Sequence, residues 1–471
     1  MNAAGSRRAL LWLVATGFFM QTLDSTIVNT ALPSMAEGLG ESPLRMQSVV
    51  IAYSLTMALL IPASGWIADR FGTRAAFFAA IVVFVAGSAL CALSHTLAAL
   101  AASRVIQGLG GAMLLPVGRL AVLRTFPREA FLRAMSFVTV PGLVGPLLGP
   151  TLGGWLVEVA SWHWVFLINI PVGIAGCIAT WMTMPDSRDP DVGRFDLTGY
   201  LLLGFGMASV SLGIDGLSEL HLQHAAVLLL LVFGLSALTA YWLRAARQER
   251  PLFPLRLFSV HSFSVGVLGN LFARIGSGSM PFMVPLLLQL TMGFSPFQAG
   301  LAMIPMALAG IFSKRIGTAV IRRSGYRRTL VANTILVGLS MAALAATWHG
   351  QPLWLLVLQL AVFGFFNSLQ FTAMNTITLK DLDGPLASSG NSLLSMVTML
   401  SMSLGVAAAG GLLGAFVEAL GPHAEAATPA AFRATFVCVG LITCASAWIF
   451  WQLAPDHPAA PAAAETKEPP A

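Results

Sequence analysis

Fourteen apolar runs separated by short polar turns constrain this chain more than any other feature. A helix needs about 20 apolar residues to cross a bilayer. The runs fall at about 10–32, 47–66, 75–94, 97–119, 134–157, 163–184, 197–214, 224–243, 262–285, 297–317, 329–348, 353–374, 387–416 and 432–453. The seventh is short, and the thirteenth is long enough to include a surface helix. Only 10% of the 471 residues are charged, against roughly 25% in a soluble domain, so the pattern predicts an all-α polytopic membrane protein. Arg7 and Arg8 before the first run superficially match a signal peptide, but the run continues past Asp24 to Pro33 with no small-residue cleavage pattern. It reads as a retained first helix.

The basic residues set the expected orientation. With both termini cytoplasmic, 21 of the 26 lysines and arginines fall on the cytoplasmic side and two, Arg45 and Arg433, on the outer side. Arg104, Arg119 and Arg274 fall inside or near the ends of spans. This asymmetry follows the positive-inside rule, and an odd number of crossings destroys it. A net charge of +6 spread over short turns builds no basic domain for nucleic acid. Cys91, Cys177, Cys438 and Cys444 lie in or beside apolar runs, with neither a disulfide framework nor a metal spacing. No cofactor is expected. The polar, turn-rich segment 185–196 is the expected boundary between an N-terminal six-helix half (10–184) and the further spans at 197–243 and 244–453, with a cytoplasmic N-terminus (1–9) and a disordered cytoplasmic tail (454–471) at the ends.

Several polar features interrupt the apolar pattern. Between the second and third runs lies Gly65-Trp-Ile-Ala-Asp69-Arg70-Phe-Gly72-Thr-Arg74, a turn too short to wander. Asp69, Arg70 and Arg74 are therefore expected at the membrane face, locking or releasing neighbouring helix ends. Ser324-Gly-Tyr-Arg-Arg328 faintly echoes Phe71-Gly-Thr-Arg74 about 250 residues later, the offset of a two-fold transporter repeat. Asp24 is the one carboxylate squarely within a predicted run, beside Thr26 and Asn29. At depth it must be paired, hydrated or protonated, which suits a proton carrier and equally a structural anchor. Arg104 and Gln107 share a helix face, and Arg104 either snorkels outward or acts electrostatically on a carboxylate across a shared cavity. Gly142, Gly145, Gly149 and Gly153 form a smooth strip interrupted by Pro141, Pro146 and Pro150. The strip is expected to give a low-friction contact between the two bundles, making Gly145, Pro146, Gly149 and Gly153 gating candidates alongside the charged turn. Asn169 lies within the membrane and needs a partner.

These stretches together resemble the major facilitator superfamily, and within it the fourteen-helix drug:proton antiporters. Gly65 to Arg74 resembles the family's turn between helices 2 and 3. Leu23-Asp-Ser-Thr-Ile-Val-Asn-Thr-Ala-Leu-Pro33 resembles the first-helix signature, Arg104 to Gly111 the fourth-helix arginine motif, and Gly142 to Gly154 the fifth-helix motif of antiporters. His163 stands where that family usually has arginine. The resemblance covers about residues 10 to 453 and implies a major facilitator fold of two six-helix bundles plus two extra central helices. It also implies a multi-pass protein of the bacterial inner membrane, exporting amphipathic organic compounds in exchange for protons by alternating access, with Asp24 and Arg104 in proton coupling.

The second half supplies further candidates for a substrate pocket: Asn270 and Arg274 in the ninth run, and Gln359, Phe363, Asn367 and Gln370 in the twelfth, together with Asn29 and Gln107. Arg274 is the oddest, a cation at mid-depth. Amide, aromatic and methionine side chains suit adaptable organic molecules, although the same residues serve as interhelical glue. An uptake transporter of one metabolite or nutrient is the alternative. A channel lacks a selectivity feature here, and a membrane enzyme lacks clustered nucleophile, base or metal ligands. Nothing resembles an ATP site, so an ion or substrate gradient supplies the energy. The partners expected are a small organic substrate, protons and lipid, with the protein a monomer.

Overall fold

The structure, a computed structural model, describes residues 3–189, 192–216, 224–249, 251–421 and 427–454. The tail from Pro455, expected to be disordered, lies outside the described residues. The described residues form helices and turns with no strand, the outcome required when a bilayer offers no water to backbone amides. In chain order the helices are α1 (Ala3–Leu39), α2 (Gln47–Phe71), α3 (Thr73–Ala92), α4 (Leu97–Thr125), α5 (Arg128–Val159), α6 (Trp164–Thr183), α7 (Leu197–Gly216), α8 (His224–Ala245) and α9 (His261–Leu290). A 51-residue segment, Pro296–Ala346, follows. At about 1.5 Å per residue it is more than twice the length of one crossing. Gly325 interrupts it with φ 74 and ψ 165, leaving α10 (296–324) and α11 (326–346). The last three are α12 (Leu353–Leu379), α13 (Gly384–Leu420) and α14 (Thr428–Trp451).

Thirteen segments are thus long and apolar enough to span, and one of them holds two crossings. The first helix is longer than expected, and the thirteenth is one continuous helix of 37 residues. The seventh runs two residues past its expected end and takes in Asp215.

The echo between the two turns is a matched backbone feature. Gly72 joins α2 to α3 at φ 95, ψ 147, and Gly325 joins α10 to α11 in nearly the same conformation. Only glycine enters this region without strain, so a glycine at each position sets the chain reversal in each half. Other interruptions precede prolines. The α6 segment breaks at Ile168 before Pro171, α9 at Gly278 before Pro281, and α10 at Met303 before Pro305. A proline ring removes one helical N–H and crowds the preceding turn.

The buried core is asymmetric along the bundle axis. At the end away from the arginine-rich turns it is one cluster through both halves, including Ile27 to Ala36 of α1, Phe282 of α9, Val406 of α13 and Phe436 of α14. At the basic end it divides. Leu10, Phe77, Val117 and Val138 of the first half belong to one cluster, and Val265, Leu330, Met374 and Phe450 of the second half to another. The inserted pair α7–α8 packs with α2, α9 and α13 in a fourth cluster that includes Ala58, Leu203, Tyr241 and Val397.

Candidate functional site

Four helices converge on Asp24. Its carboxylate is fully buried and accepts hydrogen bonds from Arg104 Nη1 to Oδ2 at 2.6 Å, Gln107 Nε2 to Oδ1 at 2.7 Å and Asn169 Nδ2 to Oδ1 at 2.9 Å. Arg104 also donates to Gln107 Oε1 at 2.7 Å and to the Val49 carbonyl at 3.4 Å, and its Cζ lies 4.0 Å over the Tyr53 ring. Gln107 and Asn169 both reach Ser88 Oγ, at 2.7 and 3.3 Å.

Each helix has a local reason to deliver its group. On α1, Thr22, Ser25 and Thr26 donate back to carbonyls of their own helix, leaving Asp24 as the side chain that must find partners elsewhere. On α4, Arg104 and Gln107 are three residues apart and point together. Gly108 and Gly110 allow close packing: a Cβ on Gly110 would lie 2.4 Å from the Phe84 nitrogen, and one on Gly108 3.0 Å from the Tyr53 carbonyl. On α6, the break before Pro171 puts Asn169 at the start of a new helical segment, facing the carboxylate.

This geometry corrects two expectations. Arg104 neither snorkels, being 1% exposed, nor acts across a cavity, because it contacts Asp24 directly. Gln107, expected in a substrate pocket, is part of the same network. Asn169 needed a partner and finds it in Asp24, whereas Ser88 and Tyr53 carried no distinguishing signal in the sequence.

The charged turn is fastened within its own half. Asp69 Oδ1 accepts from Arg124 Nη2 at 2.6 Å, so its partner is the end of α4 rather than the arginines of its own turn. Arg74 Nε donates to the Met184 carbonyl at 2.6 Å, and Thr73 Oγ1 to the Pro185 carbonyl at 2.9 Å. Arg70 is exposed. The glycine strip also differs from expectation. A Cβ on Gly145 would lie 2.4 Å from Thr22 Oγ1, on Gly149 2.2 Å from Thr26 Oγ1, and on Gly153 2.4 Å from the Ile27 carbonyl. The strip, with Pro146 between its members, therefore packs α5 on α1 inside the first half. Contact with the second half is made by other residues: a Cβ on Gly154 would lie 2.2 Å from the Pro296 carbonyl, and Thr151 donates to the Gly300 carbonyl at 3.2 Å. Phe297 N donates to Glu158 Oε1 at 2.9 Å, and Gln289 Nε2 to the Thr30 carbonyl at 3.0 Å. These contacts all lie toward the end away from the basic turns.

The expected pocket residues of the second half separate into distinct contacts. Gln370 is buried and bonds to Asn333 and Thr334 of α11 at 2.7 and 2.6 Å. Gln359 bonds to Gln351 and the Ala343 carbonyl, Phe363 lies in the core, and Asn367 is half-buried. These amides join α11 to α12. In the first half, Asn29 donates to the Ser25 carbonyl of its own helix at 3.2 Å. Arg274 remains unusual. Its Nε donates to Asn270 Oδ1 at 3.2 Å and its Cζ lies 4.3 Å over Phe371, but Nη2 is buried with no hydrogen-bond partner.

Two further groups lie outside this network. Asp215, 5% exposed, accepts from Gln47 Nε2 at 3.0 Å, so Asp24 is not the sole buried carboxylate. His163 stacks on Trp162 with ring centroids 3.7 Å apart. Burial, and then the nearby His95, lower its affinity for a proton. Among the described residues no group of three or more histidine, cysteine or acidic side chains forms a metal site.

A membrane bundle of this topology around a buried ion pair defines a polytopic secondary transporter, and comparison with known proteins agrees. The family model described as the Major Facilitator Superfamily matches residues 14–406 and again 266–471. The chain belongs to the major facilitator superfamily. It is 54% identical over 459 residues to a protein of Pectobacterium atrosepticum named "Putative multidrug resistance protein MdtD", covering 97% of this chain and 98% of that one. It is 50% identical over 458 residues to the protein of the same name from Yersinia pestis, with 97% and 98% covered. Among solved structures, the human organic anion transporter MFSD10 (TETRAN) superposes with a TM-score of 0.62 at 16% identity, over 94% of this chain and 99% of that one. A mutant form of the nucleoside transporter NupG gives 0.67 at 12% identity, over 94% and 98%. At those identities the likeness concerns the fold. The protein is a multi-pass membrane transporter of a bacterial family, not an enzyme.

Proposed function

We propose that the protein exports amphipathic organic compounds across the inner membrane in exchange for protons, by alternating access. The observation that carries this reading is the fully buried carboxylate of Asp24 held by Arg104, Gln107 and Asn169. A buried ion pair is a poor means of stabilising a fold, because desolvation offsets most of its attraction. It is a good means of making a conformation depend on one proton. When Asp24 is ionised it holds α4 and α6 to α1; when protonated it releases the guanidinium from a charged partner.

The basic turns favour both termini in the cytoplasm by the positive-inside rule, and we adopt that orientation. The large shared core then lies at the outer end and separate clusters lie at the inner end, bridged beside α7–α8 by a smaller cluster of α2, α9 and α13, which fits an inward-facing transporter. In the cycle we propose, substrate loads from the cytoplasm while Asp24 is ionised, and leaves outward as a proton arrives. Residues 10–184 and 244–453 move as two units connected through the 185–196 linker and the inserted pair 197–243. Asp69, Arg70 and Arg74 hold the inner turn in one of the two states. The drug-resistance names of the relatives support export of this kind.

The test is substrate-dependent proton flux in liposomes containing purified protein. Asp24→Asn cannot lose the proton its amide mimics, so proton-driven accumulation is abolished while substrate exchange down its own gradient persists. Undiminished substrate-dependent proton flux in that variant would remove Asp24 as the obligatory carrier.

Arg274 favours a second reading. A half-buried guanidinium with one buried, unpartnered nitrogen remains charged and suits a substrate carrying a carboxylate or another anionic group. This is the chemistry of one metabolite transported with protons rather than of many drugs. Arg274→Gln then raises the concentration needed for half-maximal transport of anionic substrates and leaves neutral ones unaffected.

A further inference from the structure

Three arginines meet where nothing in the transport cycle requires them. Arg244 and Arg247, at the basic end of α8, and Arg194, on the connection before α7, line a cleft of about 940 Å³. Glu249 is the one acid among the described lining residues. Arg244 is weakly satisfied: Nη2 reaches Asp196 Oδ1 at 3.3 Å, and Nε is buried with no acceptor. Asp196 Oδ1 also caps α7, accepting from the Gly199 nitrogen at 3.0 Å, while its Oδ2 is buried with no hydrogen-bond partner. With Asp196 and Glu249 set against three arginines, the cleft keeps a net positive charge, presented by the exposed Arg194 and Arg247.

Its setting is a bilayer interface. Ala240 and Leu243 form its apolar wall, which runs into the exposed side of α8, the least buried span at 22%. Trp66, Phe195 and Tyr200 stack beside the connection, with ring centroids 5.1 and 5.3 Å apart, and Trp66 Nε1 donates to the Gly193 carbonyl at 3.0 Å. Such aromatic clusters settle at headgroup depth. We propose that this cleft binds the phosphodiester of an anionic phospholipid, with the acyl chains lying along the exposed face of α8. Guanidinium groups match phosphate oxygens two at a time, and basic pockets between spans on the cytoplasmic side suit anionic headgroups. A free phosphate ion would use the arginines but not the apolar wall. The bound lipid neutralises the arginines and fixes the inserted pair at its basic end.

The experiment compares retention of phosphatidylglycerol and phosphatidylcholine by the purified full chain, read by native mass spectrometry. Phosphatidylglycerol is retained about tenfold more strongly, equivalent to about 1.4 kcal/mol. Arg194→Gln with Arg247→Gln removes that preference, Glu249→Gln increases it, and millimolar inorganic phosphate leaves it in place. Equal retention of the two lipids overturns the proposal, as does an unchanged preference in the double variant or with Glu249→Gln. Displacement by inorganic phosphate would assign the cleft to a free anion and overturn the lipid assignment. Each variant is compared with the parent by size-exclusion profile, so that loss of fold is not read as loss of the site.

Discussion

At the scale of single residues, the site is governed by the cost of leaving a charge alone in the bundle. Removing one member of a buried pair costs about 3–5 kcal/mol, because the other is left uncompensated. Arg104→Ala should therefore lower the thermal unfolding midpoint in detergent strongly, and adding Asp24→Asn to it should recover part of the loss. A double variant no more stable than Arg104→Ala would contradict the direct pairing. Asn169→Ala removes one donor to the carboxylate and should cost about 1–3 kcal/mol in the same assay. Asp24 and Arg104 were legible in the sequence because any ionisable side chain within a span is anomalous. Their partnership was not, since 80 residues separate them and 145 separate Asp24 from Asn169. Ser88 was invisible for another reason. A serine in a helix usually bonds to its own backbone, so nothing in its surroundings marks it as a partner of Gln107.

At the scale of elements, the glycine strip separates pattern from partner. Its three- and four-residue spacing identified a close helix contact, but spacing carries no information about which helix arrives. The structure puts α1 against Gly145, Gly149 and Gly153 and the second half against Gly154. Two substitutions distinguish these contacts. Gly149→Val should destabilise the first half, where the new side chain meets Thr26, and should lower the unfolding midpoint. Gly154→Val should instead part α5 from α10 and increase labelling of a cysteine placed at Thr151 by an impermeant reagent. Equal labelling in the two variants would contradict this division. The paired turns make a similar point. The faint sequence echo gave the position of Gly325, while its match to Gly72 lies in backbone angles. Gly325→Ala forces a side chain into that region and should cost about 1–3 kcal/mol.

At the scale of the whole molecule, composition and charge determined most of the architecture, because a bilayer permits few alternatives. The span count was readable from apolar run lengths, whereas an inserted pair was implied only by the family resemblance, and the 51-residue segment holds two crossings only because of Gly325. The conformational state was not readable, since it depends on which ends of the two halves touch. Topology is tested by reporter fusions: one at Glu249 should report the cytoplasm and one at Gly350 the outside. An outward Glu249 would invert the assignment of both ends. The central claim is that one proton on Asp24 controls closure of the outer end, and it is tested most directly by a distance. Spin labels at Ala160, just past the end of α5, and at Leu301, on α10, report that end by double electron–electron resonance. A protonated Asp24 no longer forms the ion pair with Arg104, so in the parent protein the short distance should dominate in alkali and a longer one should grow in acid. In Asp24→Asn the balance between the two distances should be independent of pH. A variant whose distances shift with pH as the parent's do would contradict the account.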